Sequence, residues 1–129
     1  MQRLRKYSLI AMLFVLPACN GTCSYGFLHS DIVLRSGERL KVVEFRKTFT
    51  DGKPSQVELV YETALAVEDN SPLRDEVREV WLVFRPEVDS LGFNRAIIVA
   101  QKTTSVLLAQ QTKSESYVFQ KEADGTWSF

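Results

Sequence analysis

The side chains able to do chemistry are few: two cysteines, Cys19 and Cys23, and a single histidine, His29. A zinc site needs three or four ligands drawn from clustered His, Cys and carboxylates. One histidine and two cysteines near the start of the chain do not supply that set. A Ser-His-acid triad is assembled in space rather than in sequence, but no motif brings an acid or a nucleophile to His29, which reads as a solvated side chain. Glu58 and Glu62 fall on one face of a candidate strand. Four residues along a strand span about 13 Å, wider than the roughly 5–9.5 Å between the carboxyls of glycoside hydrolases. Glu68-Asp69 and Asp75-Glu76 flank a helix start, where negative charge favours the positive end of the helix dipole; this accounts for them better than a calcium site does. Glycine-rich phosphate loops are absent from the sequence. The expectation is no catalytic residue, no metal and no cofactor.

Cys19 stands apart because of what precedes it. Met1 to Tyr7 carries Arg3, Arg5 and Lys6 and no acid, and Leu9 to Ala18 is almost wholly apolar. A basic start, a short apolar core and a small residue at the exit form a secretory signal peptide. The run is too short to span a bilayer, which takes about 20 residues. The exit, Leu16-Pro17-Ala18-Cys19, resembles the lipobox of bacterial lipoproteins, with Leu16 and Ala18 at the cleavage site. The resemblance implies that the Cys19 thiol receives diacylglycerol, that residues 1–18 are removed, and that the new amino terminus is acylated. Two or more chains anchor a protein stably, whereas one does so only marginally. Asn20 then resembles an outer-membrane address, with the domain facing the periplasm; in a Gram-positive cell the place is the outer surface of the plasma membrane. Cys23 is left as an idle thiol or as half of an intermolecular disulfide. The competing reading is plain secretion, with Cys19 and Cys23 closing a small disulfide loop.

The mature chain has room for one domain. The 129-residue sequence has 16 basic and 16 acidic residues, so loss of the three basic residues in the leader leaves a net charge of about −3. A mildly acidic domain does not suit phosphate backbones, which excludes nucleic acid as the expected partner. Residues 19–30 read as the lipidated cysteine and a tether. Fully extended, the tether reaches about 35 Å, so the domain, residues 31–129, works close to the membrane.

Within the domain, Ile32-Val33-Leu34 is a short strand candidate and Leu40 to Phe49 a longer one. Thr50-Asp51-Gly52-Lys53-Pro54 is a turn, followed by the period-two alternation of Val57, Leu59, Tyr61 and Thr63 that marks a half-buried strand. Ser71-Pro72 opens a helix, with Ser71 as the cap and Pro72 in the first turn. Leu73, Val77, Val80, Trp81, Phe84, Val88 and Leu91 then recur at steps of three and four, one helical stripe. Gly92 suits the left-handed residue after the last turn, with Phe93 packing back on Val88. Pro86 lies inside the stripe and predicts a kink rather than two helices. Ala96 to Ala100 is apolar on both faces and reads as a central strand. Ser116 to Gln120 and Thr126 to Phe129 flank Asp124-Gly125, a hairpin signal. The fold class is α+β: a two-layer sandwich of a mainly antiparallel sheet with one long amphipathic helix.

One helix covers one face of such a sheet. Val43, Val60 and Val118 or Trp127 then fall on the other, and Leu82 points away from the helix stripe. An exposed apolar patch on a small domain marks a partner surface, unless the segment holding Tyr25, Phe27 and Leu28 folds over it. The expected function is a membrane-anchored, non-catalytic module for a protein partner in the envelope, an assembly accessory or an immunity or inhibitor protein. Its candidate interaction surface is Glu68, Asp69, Asp75, Glu79, Trp81 and Leu82. The alternative is an envelope protein that binds or acts on cell-wall or lipid material, which would need a cleft with convergent polar groups. The placing of Val80-Trp81, Ala96-Ile97-Ile98 and Asp124-Gly125-Thr126-Trp127 is similar to that in small bacterial lipoproteins of no assigned activity.

Overall fold

The computed structural model describes residues 21–24, 31–68 and 71–129, of which residues 21–24 are described by their backbone alone. Leu16, Ala18, Cys19, Asn20, Tyr25, Phe27, Leu28, His29 and Asp69 lie outside the described residues. In chain order the elements are β1 (Gly21–Ser24), β2 (Asp31–Val33), β3 (Arg39–Thr50), β4 (Lys53–Glu62), α1 (Ser71–Leu91), β5 (Arg95–Val106), β6 (Ala109–Lys121) and β7 (Trp127–Ser128). They form an α+β fold, with one helix on a curled, mixed sheet. The strand order is β1-β3-β4-β5-β6-β7, and β2 pairs with β3 beside β1.

The sheet is mainly antiparallel. β4 and β5 are the parallel neighbours, in register from Val57 opposite Ala96 to Glu62 opposite Gln101. A parallel pair cannot be joined by a tight turn; it needs a crossover, and α1 is that crossover. β5 is central, as its two-sided apolar run implies. It runs to Val106, beyond Ala100, the end of that run.

Local chemistry explains the turns. Asp51 (φ 52°) and Gly52 (φ 75°) form the two-residue loop between Thr50 and Lys53, whose positive φ angles suit Asp-Gly. Asp124-Gly125 does not act as a two-residue loop. The Gly125 amide donates to the Glu122 carbonyl (3.0 Å) and the Glu122 amide to the Thr126 carbonyl (2.7 Å), which makes a three-residue loop ending in a left-handed glycine. The turn between β5 and β6 has no glycine at all. Val106 pairs with Ala109, and Leu107 holds φ 54° between them. A left-handed conformation costs a non-glycine residue about 1–2 kcal/mol.

α1 runs unbroken through Pro86 and ends as its sequence implies. The Phe93 amide donates to the Val88 carbonyl (3.3 Å) and the Gly92 amide to the Asp89 carbonyl (3.2 Å). Those two bonds are a Schellman ending, with Gly92 at φ 78°. Leu73, Val77, Val80, Trp81, Phe84 and Val88 are buried against Leu40 and Phe45 of β3, Val57, Leu59 and Tyr61 of β4, Ala96, Ile98 and Ala100 of β5, and Tyr117 and Phe119 of β6. The alternate residues of β4 and β5 sit on the face away from α1. There Arg46 pairs with Glu44 and Glu58, and Gln101 and Thr103 donate to Glu62 at 3.1 and 3.2 Å. Val118 of that face is exposed, but Val60 is 93% buried. Trp127 belongs to the helix side, edge-on to Trp81 with centroids 4.9 Å apart, so the expectation that it lines the far face is corrected.

Candidate functional site

α1 presents two unlike flanks, because residues four apart share a side of a helix. On one flank Arg74 and Arg78 lie over the ring of Phe129, 5.2 and 5.5 Å from its centroid. Phe129 stacks on Phe119 (4.5 Å) and Phe119 on Trp81 (4.3 Å). This ladder is a packing device that fastens the chain's last residues to the helix. It also removes Trp81 from the expected interaction surface: with 7% of its surface exposed, Trp81 is core. Asp89 closes the same side. The indole Nε1–H of Trp127 donates to its Oδ1 (3.0 Å), and Lys121 and Arg85 each approach at 3.4 Å. Partial burial pushes the Asp89 carboxyl up, but these donors outweigh it and hold the group below its ordinary value.

The opposite flank carries Glu79, Val83 and Glu87 at steps of four. Val83 and Glu87, with Phe84 beside them, face Asp31, Ile32 and Val33 of β2 across a groove of about 240 Å³, and Leu59 forms its floor. Val33 and Val83 are exposed, and Leu82 at the crest of the helix is 44% exposed. The groove is therefore apolar inside, with the carboxylates of Asp31 and Glu87 at its rim. Asp75 and Glu79 are exposed further along the crest and flank, and Asp75 makes an i,i+3 ion pair with Arg78 at 3.6 Å. Among the described residues β2 pairs with β3 alone, so its other edge has no strand beside it. Asp75, Glu79 and Leu82 were legible from helical spacing; the rim carboxylates Asp31 and Glu87 were not. The groove was not, because it is made by a three-residue strand 50 residues away in sequence from the helix turn it faces.

A buried polar cluster lies under the start of α1. Glu76 is 9% exposed, and its Oε1 accepts from the hydroxyls of Tyr61 (2.9 Å) and Thr63 (2.7 Å). The Leu65 amide donates to the Thr63 hydroxyl (3.1 Å), which fixes the exit of β4. Burial first, and then the neighbouring Glu76 charge and its hydrogen bond, push the Tyr61 hydroxyl far above the ordinary tyrosine range. Tyr61 thus keeps its phenol proton, which it donates to Glu76 Oε1. Spacing along the helix gave Glu76 to the acidic helix start; its burial became visible only with β4 in place.

Glu68 takes part in a second recess of about 160 Å³, of mixed polar and apolar lining, with Ala66, Val67, Lys102, Thr104, Gln111 and Lys113. Asp75, Glu79 and Leu82 do not line it. Glu58 and Glu62 are engaged by Arg46 and by Gln101 and Thr103 respectively. Among the described residues no group of three or more His, Cys, Asp or Glu side chains is placed to hold a metal, and no helix is long and apolar enough to cross a membrane. Comparison with protein-family models, curated proteins and solved structures finds no match to this chain.

Proposed function

We propose that the protein is a non-catalytic interaction module, anchored in a bacterial envelope membrane through a lipid on Cys19, and that it receives a protein partner in the groove between β2 and α1. The observation that carries the reading is the groove itself: an apolar floor of Leu59 and Phe84 between an edge strand and a helix, rimmed by Asp31 and Glu87. Such a groove suits an extended segment that pairs with the open edge of β2 and lowers an apolar side chain between Val33 and Val83. Basic residues on either side of that side chain would meet the rim carboxylates and, further along, Glu79. An assembly factor or an immunity or inhibitor protein would use such a surface in the same way.

Two finer points of architecture belong to this reading. Helix and sheet act as the two layers of a sandwich, supported by the burial of the α1 stripe against one sheet face. The helix bends at Pro86, which has no N–H to offer the Leu82 carbonyl.

The test is a photoreactive amino acid at Val83, at Val33 and, as control, at Arg78, in cells that process the full chain. Adducts of one size at positions 83 and 33 and none at 78, lost in Val83→Asp and weakened in Cys19→Ala, are the expected result. Adducts at 78 alone would overturn the groove assignment, and unchanged membrane fractionation of Cys19→Ala would overturn the anchor.

A further inference from the structure

β5 keeps its neighbour β4 only as far as Gln101, yet it stays paired with β6 to the Val106–Ala109 rung. Past Gln101 the two strands run on as a ribbon whose tip lies about 20 Å away; Ala66, Val67 and Glu68 flank its base beside Lys102, Thr104, Gln111 and Lys113, and the part beyond Thr104 and Gln111 carries the tip. The tip is Val106-Leu107-Leu108, respectively 58, 99 and 106% exposed. Three features of this ribbon oppose its own stability. Large apolar side chains stand fully in water. Leu107 takes a positive φ where a two-residue loop favours glycine, although the same protein places Asp51-Gly52 in its other tight turn. Lys102 and Lys113 are directly opposite each other, a like-charge pair that disfavours strand pairing.

We propose that the ribbon is a membrane-contact element: its tip enters the interface of an anionic bilayer while Lys102 and Lys113 face the lipid phosphates. The tip is convex, so it offers no pocket for a ligand or a peptide, and a fluid interface is the environment that accepts apolar side chains without a shaped complement. Behind it, Ser105, Thr104, Thr103, Gln110, Gln111 and Thr112 are uncharged and polar, which suits the headgroup layer. From Lys102 to Ser114 the chain carries two positive charges and no acid, and Glu68, which shares a recess with both lysines, leaves the collar with a net positive charge. The lysines stand about 16 Å behind the tip; the Lys102 ammonium donates to the Ala64 carbonyl (3.3 Å), an exposed bond that it exchanges for lipid phosphate when its long stem swings forward. The same order, apolar tip, neutral polar band, cationic collar, matches the layers of a bilayer surface. This inference does not depend on the groove or on Cys19.

The test uses the full chain carrying Cys19→Ser and Cys23→Ser, with an environment-sensitive nitrobenzoxadiazole label on Leu108→Cys or, as control, on Ser36→Cys. Vesicles are phosphatidylcholine alone or phosphatidylcholine with about a third phosphatidylglycerol. The expected result is a blue shift and a several-fold rise in emission at position 108 with the anionic vesicles, a weaker response with neutral ones, and none at position 36. Adding Leu107→Asp should abolish the response, and Lys102→Gln with Lys113→Gln should weaken apparent binding roughly tenfold or more. A label at 108 that stays in water on both vesicles would overturn the proposal. So would equal responses at 36 and 108, or equal responses to neutral and anionic lipid.

Discussion

Replacing Tyr61 by phenylalanine should change how stability depends on pH, and the size of the change follows from the buried pair. Tyr61 is fully buried, and its hydroxyl donates to Glu76 Oε1 at 2.9 Å. Loss of a hydrogen bond to a charged group costs about 1.5–3 kcal/mol, so Tyr61→Phe should be less stable than wild type by that amount at pH 7. The ordinary tyrosine value is 10.0, and the folded state holds Tyr61 well above it. Above pH 10 the unfolded chain therefore loses the phenol proton while the folded chain keeps it. The unfolded state then binds fewer protons, and stability falls as pH rises. Below pH 10 the contribution is intact. At pH 11 the loss is about 1.4 kcal/mol, one pH unit past the unfolded value. The gap between wild type and Tyr61→Phe should narrow by that amount between pH 7 and pH 11. Urea unfolding of both proteins at matched pH measures it, because the remaining tyrosines and the lysines titrate in both and cancel. Parallel stability curves up to pH 11 would show that Tyr61 ionises equally easily in both states, and the account of the buried pair would be wrong.

Other substitutions probe the turns and the Asp89 clasp. Leu107→Gly should relieve the positive-φ residue without losing packing, since the side chain is fully exposed. The gain, reduced by the entropy of glycine, is about 0.5–1 kcal/mol, a rise in Tm of about 2–6 °C by calorimetry. Gly92→Ala should cost about 1 kcal/mol in urea unfolding: nothing lies within 4 Å of the added Cβ, so the loss is conformational and not a clash. Asp89→Asn should lower stability by no more than about 1 kcal/mol near neutrality, because the carboxylate is more than a third exposed. Its folded value lies below the unfolded 3.8, so the contribution is present above that pH and is lost as pH falls through the folded value. The difference between Asp89→Asn and wild type should therefore shrink in acid unfolding below about pH 4.

Sequence patterns disclosed what local chemistry determines. The stripe from Leu73 to Leu91, the alternation from Val57 to Thr63 and the glycine ending at Gly92 each depend on residues within a turn or two of one another; the stripe is buried as far as Val88, with Leu91 exposed, the alternation holds except at buried Val60, and Gly92 ends the helix as expected. The long β5–β6 hairpin escaped because its turn lacks the glycine, asparagine or proline by which turns are recognised. The apolar run from Val106 to Leu108 interrupts a polar stretch and gives no strand signal of its own. Trp81 is legible as part of the helical stripe, and its burial there sets it apart from the candidate surface that also named it; the stacked Phe119 and Phe129 beyond it are not legible from helical spacing. The groove needed β2, α1 and β4 to meet, and no spacing within any one of them encodes that meeting. Of the candidate site, only Asp75, Glu79 and Leu82, which lie beside the groove, could be read in advance.

The parallel seam between β4 and β5 also governs the order in which the domain can assemble. The β3–β4 and β5–β6 hairpins each close across two-residue loops, and each can zip outward from its turn on a timescale of about 1–10 μs. The seam has no turn from which to start. Val57 meets Ala96 only after the whole intervening segment, α1 included, has been gathered across the sheet. Closing that loop loses chain entropy before any seam contact compensates it, which makes the seam the slow, non-local step. α1 shortens the wait: as it packs, its buried stripe touches both hairpins at once and holds them side by side. The helix is thus a jig for the sheet as well as its cover.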